Sequence, residues 1–173
     1  MIRKAVREDV PVVAQIYEQI HDEVEKGVSK VGWVRGVYPT PGTAQRAFEK
    51  GELYVAEQDG RVVASAIINH EQVDCYKGVA WKHECEDSRV LVMHTLSVST
   101  DFLRQGIAGK FLEFYEELAA QTGCLELRID TQEQNQIARE MYKKFGYEEI
   151  GTVPCMFNGI MDVRLVLLEK SLG

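Results

Sequence analysis

The segment LRQGIAGKFL, residues 103–112, places two glycines and an alanine between an arginine and a lysine. Apolar residues recur at helical spacing directly after it, so a helix begins inside the segment. A helix N-terminus offers unpaired backbone N–H groups and a partial positive charge, and small side chains allow an anion to reach them. The segment therefore predicts a helix start that binds a phosphate or pyrophosphate group.

Two common phosphate-binding patterns do not fit this segment. A P-loop needs a Ser or Thr after its Lys, where Phe111 stands, and a glycine five residues before Gly109, where Arg104 stands. A dinucleotide-binding GxGxxG fingerprint lies early in a βαβ unit, whereas this segment lies late in the chain. A helix start packed tightly against a strand, without any ligand, remains the alternative.

The chain before the segment shows short strand and helix patterns. Residues 2–6 predict a strand, and Asp9 followed by Pro11 predicts the start of an amphipathic helix. Thr43 is predicted to cap a second, short helix. The pair Asp59-Gly60 separates two apolar runs and predicts the turn of a β-hairpin.

Strands and helices alternate around and after the segment. VLVMHTLSV (90–98) predicts a buried strand, and NQIAREMYKKF (135–145) predicts a helix that ends at Gly146. Three more strands are predicted, at 124–130, 147–153 and 160–170. The element order βαα-βββ-α-β-α-ββ predicts helices packed against a mixed sheet.

Two blocks of the sequence resemble a known family. HTLSVSTDFLRQGIAGKFLEF (94–114) and NQIAREMYKKFGY (135–147) look like motifs A and B of the GNAT superfamily of acetyl-CoA-dependent N-acetyltransferases. The first motif A position, Arg or Gln in the family, is Leu103 here, and Arg104 stands one place later. The resemblance implies a single domain, 1–173, with an α+β fold in α/β/α layers: a mixed, mostly antiparallel twisted sheet of about seven strands flanked by about four helices.

The resemblance also implies acetyl-CoA as co-substrate. Its pyrophosphate is expected on the backbone of residues 104–109, and its pantetheine arm beside the preceding strand, where the Val98 N–H is the implied donor to the thioester carbonyl. The implied cofactor-binding residues are Leu96, Ser97, Val98, Arg104, Gln105, Gly106, Ile107, Ala108, Gly109, Lys110, Asn135 and Ala138. Local sequence also favours Asn135 as a helix N-cap and Leu96 and Val98 as core residues.

Tyr142 is the general acid that the resemblance implies, the group that protonates the departing thiolate. It stands seven residues after Asn135, so the two share one helix face at roughly 10 Å separation. A tyrosine packed at the edge of an amphipathic helix is the alternative interpretation.

The general base has three candidates in the sequence analysis: two residues and a chain of waters. Strand alternation places His94 on one face with Leu96 and Val98 unless a bulge intervenes, and some arylalkylamine acetyltransferases of the superfamily have a base histidine at this spacing. A histidine near its ordinary pKa accepts an amine proton readily, although a hydrogen-bonded core histidine fits as well. Glu71 is the second candidate, and a chain of waters is the third.

The charge, the apolar runs and the cysteine spacing of the sequence limit the classes of partner and the location that we expect. The formal net charge of −7 argues against nucleic acid, which requires a basic face. The sequence has no apolar signal segment and no apolar run near the ~20 residues of a membrane span, so we expect a cytoplasmic protein without membrane contact. Its four cysteines form no CxxC pair and match no zinc pattern, so we expect reduced thiols and no metal: Cys75, Cys85, Cys124 and Cys155.

These features predict an N-acetyltransferase that moves an acetyl group from acetyl-CoA to a primary amine of a small molecule or amino acid by direct attack. A peptide N-terminus or lysine is the alternative within this class, and a non-catalytic CoA-binding regulator is the alternative outside it. A homodimer is left open. Residues 27–42, 71–89 and 154–160 are expected to build the substrate site. Its candidate walls and acids are Trp33, Tyr38, Trp81, Met156, Phe157, Glu23, Glu71 and Asp74.

Overall fold

The computed structural model describes every residue from Met1 to Gly173 and is built on one seven-stranded sheet. The strands are β1 (Ile2–Lys4), β2 (Leu53–Gln58), β3 (Arg61–Asn69), β4 (Val90–Val98), β5 (Glu126–Gln132), β6 (Glu148–Phe157) and β7 (Ile160–Ser171). Their order is β1-β2-β3-β4-β5-β7-β6, and every neighbouring pair is antiparallel except β4 and β5. The predicted mixed, mostly antiparallel sheet is confirmed.

Four helices cover the two faces of this sheet. They are α1 (Val10–Glu25), α2 (Pro41–Glu49), α3 (Ile107–Thr122) and α4 (Gln136–Lys144). α1 and α2 pack on the face that carries Val55 and Ile67, whereas α3 and α4 pack on the face that carries Leu127 and Ile129. The α+β fold in three layers is therefore confirmed. None of the four helices is both long and apolar enough to cross a membrane.

The start of α2 differs from its prediction. Thr40 is the N-cap residue, Pro41 takes the first helical position, and Thr43 lies in the first turn instead of capping it. The Thr43 hydroxyl accepts a hydrogen bond from the Thr40 N–H at 3.0 Å. Proline favours this first position because its φ suits a helix and the N–H it lacks would have no partner there.

β4 and β5 separate part-way along their length. They are paired from Val90 and Glu126 as far as Met93 and Ile129, but β4 continues to Val98 and β5 to Gln132. β4 stays paired with β3 on its other side as far as Val98. The two parallel strands therefore diverge into a cleft, and residues 94–98 present a backbone edge to it that is free on the β5 side.

A β-bulge in β4 changes the face on which His94 lies. Ser65 pairs with Ser97 and Ile67 with His94, so β4 contains one extra residue, and Thr95 there has a φ of +54°. His94 consequently lies on the α1 and α2 face, opposite the face on which Leu96 and Val98 pack. The simple alternation that placed all three on one face is wrong because the bulge intervenes.

The segment between β3 and β4 covers the rest of the α1 and α2 face. Its first turn, Asp74–Gly78, buries Tyr76 against Val92 and Leu165. Trp81 donates a hydrogen bond to the Tyr76 carbonyl at 3.0 Å, and the Arg128 guanidinium lies 4.0 Å above the Trp81 ring. These contacts fix the turn against the sheet next to the cleft.

Candidate active site

The segment that leads into α3 leaves a row of backbone N–H groups without acceptors. The Lys110 N–H donates to the Gly106 carbonyl at 3.1 Å, whereas no backbone carbonyl accepts from the N–H groups of residues 103–109. Arg104 has a φ of +63° and Gly106 a φ of +75°, so the chain turns sharply twice before the helix begins. Unpaired N–H groups at a helix start form a ready site for an anion.

The two glycines of this segment have different roles. A Cβ at Gly106 would meet no atom within 4 Å, so Gly106 is required for its left-handed backbone and leaves open space in front of the N–H groups. A Cβ at Gly109 would lie 2.9 Å from the Phe145 ring, so Gly109 is required for the close packing of α3 against α4. The side chain of Ile107 is buried in the core, which leaves only its N–H for a ligand.

The free edge of β4 offers backbone and not side chains. Leu96 and Val98 pack against the α3 layer, and the Ser97 hydroxyl is buried and bonded to the Ser65 hydroxyl at 2.8 Å. The edge therefore fits an extended amide-containing arm that pairs through main-chain groups. Together with the N–H groups before α3 and the exposed Arg104, Gln105 and Lys110, it suits the pantetheine and pyrophosphate of acetyl-CoA.

α4 forms the other side of the cleft. Asn135 is its N-cap: the Oδ1 atom accepts from the Ala138 N–H at 3.4 Å, and the Nδ2 atom donates to the Thr131 hydroxyl at 3.1 Å. The Tyr142 ring is 5% exposed and makes an edge contact with Tyr147, while its hydroxyl has no partner in the protein and is not fully enclosed. Burial, and then the charge of Asp130, raises the pKa of Tyr142, which keeps its proton on the hydroxyl.

Asp130 lies where β4 and β5 separate, one residue beyond their last pair. One of its carboxylate oxygens accepts from the Tyr76 hydroxyl at 2.7 Å, and no Lys or Arg forms an ion pair with it. Burial raises the pKa of Asp130 to about 6 against the lowering effect of the Tyr76 hydrogen bond. Sequence analysis missed this residue, and its place at the end of the predicted strand 124–130 was its only signal.

An aromatic wall stands beside this carboxylate. Tyr38, from the segment between α1 and α2, bonds the Thr95 hydroxyl at the bulge and packs edge-on against Phe157 with ring centroids 5.4 Å apart. The same segment reaches the end of β5, where Gln132 donates to the Gly32 carbonyl at 3.3 Å. The cleft is thus closed on the α1 and α2 side by aromatic rings near an uncompensated acid.

A family model describes this arrangement. The model of the acetyltransferase (GNAT) family matches residues 17–147, which include the segment before α3, the divergent strands and α4. The chain belongs to the GNAT acetyltransferase family. Solved GNAT structures share its fold over the whole chain: an acetyltransferase of the GNAT family from Streptococcus agalactiae 2603 is 23% identical with a TM-score of 0.83, covering 100% of this chain and 95% of that one.

One further solved structure and one curated protein are also similar to the chain. The Salmonella typhimurium protein yncA, solved with its cofactor acetyl-CoA, is 16% identical with a TM-score of 0.72, covering 100% of this chain and 94% of that one. An aminoglycoside N(6')-acetyltransferase type 1 of Salmonella typhimurium is 26% identical over 98 residues, or 56% of this chain. The match spans 61% of the length of that curated relative.

His94 is held as a neutral hydrogen-bond donor in this GNAT chain. Asn69 Oδ1 accepts from the Glu71 N–H at 2.9 Å and lies 2.9 Å from His94 Nε2, while Asn69 Nδ2 donates to Glu52. The amide orientation of Asn69 is therefore set by its other partners, and the Nε2 proton belongs to His94. Burial lowers the pKa of His94 to about 4, which makes it a poor proton acceptor for an amine.

This lowered pKa predicts a pH-dependent cost in stability. The unfolded chain protonates His94 near pH 6.5 and the folded chain only near pH 4, so the stability that the neutral side chain contributes is complete above pH 6.5 and is lost as pH falls toward 4. His94→Gln keeps a donor for Asn69 but does not titrate. Between pH 7 and 4.5 we expect the unfolding free energy of wild type to fall by about 2 kcal/mol more than that of the variant in urea titrations. Parallel curves would contradict the buried neutral state.

Glu71 and the other acids expected near the substrate form surface ion pairs instead. Glu71 pairs with Lys50 at 2.7 Å and is 65% exposed, Asp74 pairs with Lys77, and Glu23 pairs with Lys26. Of the expected aromatic walls, Tyr38 and Phe157 meet beside the cleft. Trp33 instead packs against Tyr17 and His21, Trp81 packs on Arg128, and Met156 is exposed.

Proposed function

We propose that this GNAT protein transfers an acetyl group from acetyl-CoA to a primary amine of a cationic small molecule by direct attack. One observation carries the proposal: β4 and β5 diverge just before Asp130, which leaves a free backbone edge beside an acid whose charge acts on the Tyr142 hydroxyl. The row of unpaired N–H groups before α3 supplies an anion site that follows this edge in the chain. A helix start suited to pyrophosphate and two protic side chains of opposite role are what amine acetylation requires.

The proposed binding mode uses main-chain groups almost throughout. The N–H groups of residues 104–109 would hold the pyrophosphate, with Arg104 and Lys110 adding positive charge at the rim. The β4 edge at Leu96, Ser97 and Val98 would pair with the pantetheine arm, with the Val98 N–H toward the acyl carbonyl, and Asn135 and Ala138 would line the opposite side. When bound, acetyl-CoA supplies an activated acyl carbon in a thioester.

The two protic side chains divide the proton transfers. Asp130 takes one proton from the substrate ammonium, which frees the nitrogen lone pair for attack on the acyl carbon. Tyr142 gives its hydroxyl proton to the departing sulfur, and the second proton of the amine nitrogen restores the tyrosine. One amide and one thiol form, and one net proton leaves through Asp130. Asp130 replaces His94 and Glu71 as our proposed base because it lies where β4 and β5 diverge, has no cation partner and has a raised pKa. His94 instead donates to Asn69, and Glu71 is paired with Lys50.

The substrate class follows from the same carboxylate. A half-buried acid without a cation partner attracts an ammonium group, and the paired rings of Tyr38 and Phe157 offer an apolar wall on the same side of the cleft. A curated relative of the chain is named as an aminoglycoside acetyltransferase, which supports a small polyamine-like acceptor. The peptide alternative keeps support from a fold neighbour, a ribosomal-protein-alanine N-acetyltransferase from Brucella melitensis with 20% identity and a TM-score of 0.73.

The test is the release of free thiol from acetyl-CoA, measured over a panel of amines that includes aminoglycosides, polyamines, amino acids and short peptides. We expect amine-dependent release with the cationic small molecules. Tight acetyl-CoA binding without release for any amine would instead identify a non-catalytic CoA-binding regulator. Thiol release with peptides alone would show that the acceptor is a peptide and not a small molecule.

A matched pair of glycine variants tests the proposed cofactor site. Gly106 and Gly123 both have a φ of +75°, and a Cβ at either would meet no atom within 4 Å, but they lie at opposite ends of α3. Gly106→Val and Gly123→Val therefore carry similar backbone strain. We expect Gly106→Val alone to weaken CoA binding at least about tenfold in calorimetry, because its side chain fills the space before the N–H groups. Equal affinities would remove the pyrophosphate assignment.

A further inference from the structure

Two cysteines that are distant in sequence meet in the fold. Cys75 lies in the turn Asp74–Gly78 and Cys155 lies on β6, and their Sγ atoms are 2.9 Å apart with the Cys155 thiol donating. Both side chains are half-buried and neither is in a disulfide. Cys85 and Cys124 have no sulfur neighbour: the nearest polar partner of Cys124 is the Thr122 hydroxyl, 3.5 Å away.

The surroundings hold the two sulfurs together. The turn is fixed from beneath by Tyr76, which is 1% exposed and bonds Asp130 on β5. Apolar side chains from both elements pack around the pair, including Val79 from the segment after the turn and Val153 from β6. The contact is therefore built by two independently anchored elements, and a disulfide bond of about 2.05 Å requires only a small further approach.

We propose that Cys75 and Cys155 are an oxidation site, at which a hydroperoxide forms an intramolecular disulfide that cross-links the turn to β6. The thiolate of one cysteine attacks hydrogen peroxide, its S–O bond forms, the O–O bond breaks and hydroxide leaves. The second sulfur then attacks the sulfenic acid, the S–S bond forms, the S–O bond breaks and a second hydroxide leaves. The two thiol protons neutralise the hydroxides, so two thiols and one peroxide give one disulfide and two waters.

Burial and the neighbouring Cys155 sulfur both act on the Cys75 thiol. Burial, then the hydrogen bond and charge of Cys155, raises the pKa of Cys75 to about 12. The disulfide that forms is the same whichever of the two sulfurs attacks the peroxide first. The closed loop spans eighty residues of sequence, so the bond restricts the unfolded chain strongly and stabilises the folded one.

The test uses the whole chain treated with hydrogen peroxide, then blocked with an alkylating reagent and cleaved with trypsin without reduction. Cleavage after Lys and Arg places each cysteine on its own peptide: 62–77, 83–89, 111–128 and 145–164. We expect a linked pair of 62–77 and 145–164 in the monomer, and a rise of at least about 5 °C in the unfolding midpoint that dithiothreitol reverses.

Two serine variants complete the test. Cys155→Ser is expected to abolish the linked pair and the peroxide-induced rise in unfolding midpoint, whereas the matched control Cys85→Ser is expected to keep both. The proposal is overturned if both cysteines of wild type are recovered alkylated or singly oxidised, if either is linked to Cys85 or Cys124, or if the linkage joins two chains. The wild-type peptide map decides these outcomes even if Cys155→Ser folds poorly.

Discussion

Replacement of Asp130 with Asn is expected to lower kcat/KM for a cationic amine by about 10²-fold at pH 7, because the variant loses both the ammonium partner and the proton acceptor. Asn keeps the size of the side chain and can still bond Tyr76. The wild-type rate is expected to rise with pH through about 6, since burial raises the pKa of Asp130 to that value and only the ionised carboxylate accepts a proton. Asp130→Asn is expected to lose this acidic limb.

Tyr76→Phe gives the matched test of the same carboxylate. The Tyr76 hydroxyl donates to Asp130 and holds its pKa down, so the variant should shift the acidic limb to higher pH without abolishing it. The other titratable groups around Asp130 are Tyr38, Tyr142 and Cys75, which are neutral at pH 7. Arg128, two residues earlier on the same face, is stacked on Trp81 and bonded to Gln72 and His83.

A free amine is also needed for attack, so the substrate can produce an acidic limb of its own. The assays are therefore run with two amines of different pKa. A limb that follows the substrate and survives in Asp130→Asn would remove Asp130 from the proton transfer and leave a water chain as the acceptor. An unchanged limb in Tyr76→Phe would contradict the role of the hydrogen bond in setting it.

The element order and the cofactor side of the cleft could be predicted because their signals are local. Small residues before an amphipathic pattern mark the start of α3, and the same pattern explains why Ile107 and Phe111 are buried. Asp59-Gly60 likewise forms the turn between β2 and β3, with both residues at positive φ. Each of these features depends on residues within a few positions of one another.

The substrate side could not be predicted because it is assembled from distant segments. Thr95 is a β-branched residue with a positive φ, and nothing in its neighbourhood in the sequence indicates the bulge that moves His94 to the other face. The pKa of Asp130 is raised by burial and lowered by the hydrogen bond from Tyr76, which stands fifty-four residues earlier in the sequence. Hydrophobic alternation and residue spacing describe one strand at a time. The environment of Asp130 depends instead on where two strands separate and on a turn that packs over them.

Tyr142→Phe is expected to lower kcat by about 10²-fold with little change in acetyl-CoA affinity, because it removes one hydroxyl and keeps the ring that packs against Tyr147. The matched control is Tyr147→Phe, the same change in the neighbouring ring. The Tyr147 hydroxyl is fully enclosed and cannot reach a leaving sulfur, so this control should retain its kcat.

A change of acyl donor distinguishes a role of Tyr142 in proton donation from a role in packing. When the acyl donor is an acetyl thioester of an acidic aryl thiol, the leaving group is a stable thiolate that needs no proton. The kcat values of wild type and Tyr142→Phe should therefore differ far less with this donor than with acetyl-CoA. Burial, and then the charge of Asp130, raises the pKa of Tyr142, so its hydroxyl is protonated across the working pH range. A deficit of the same size with both donors would show that the hydroxyl acts before the sulfur departs, and full activity of Tyr142→Phe with acetyl-CoA would return the residue to packing alone.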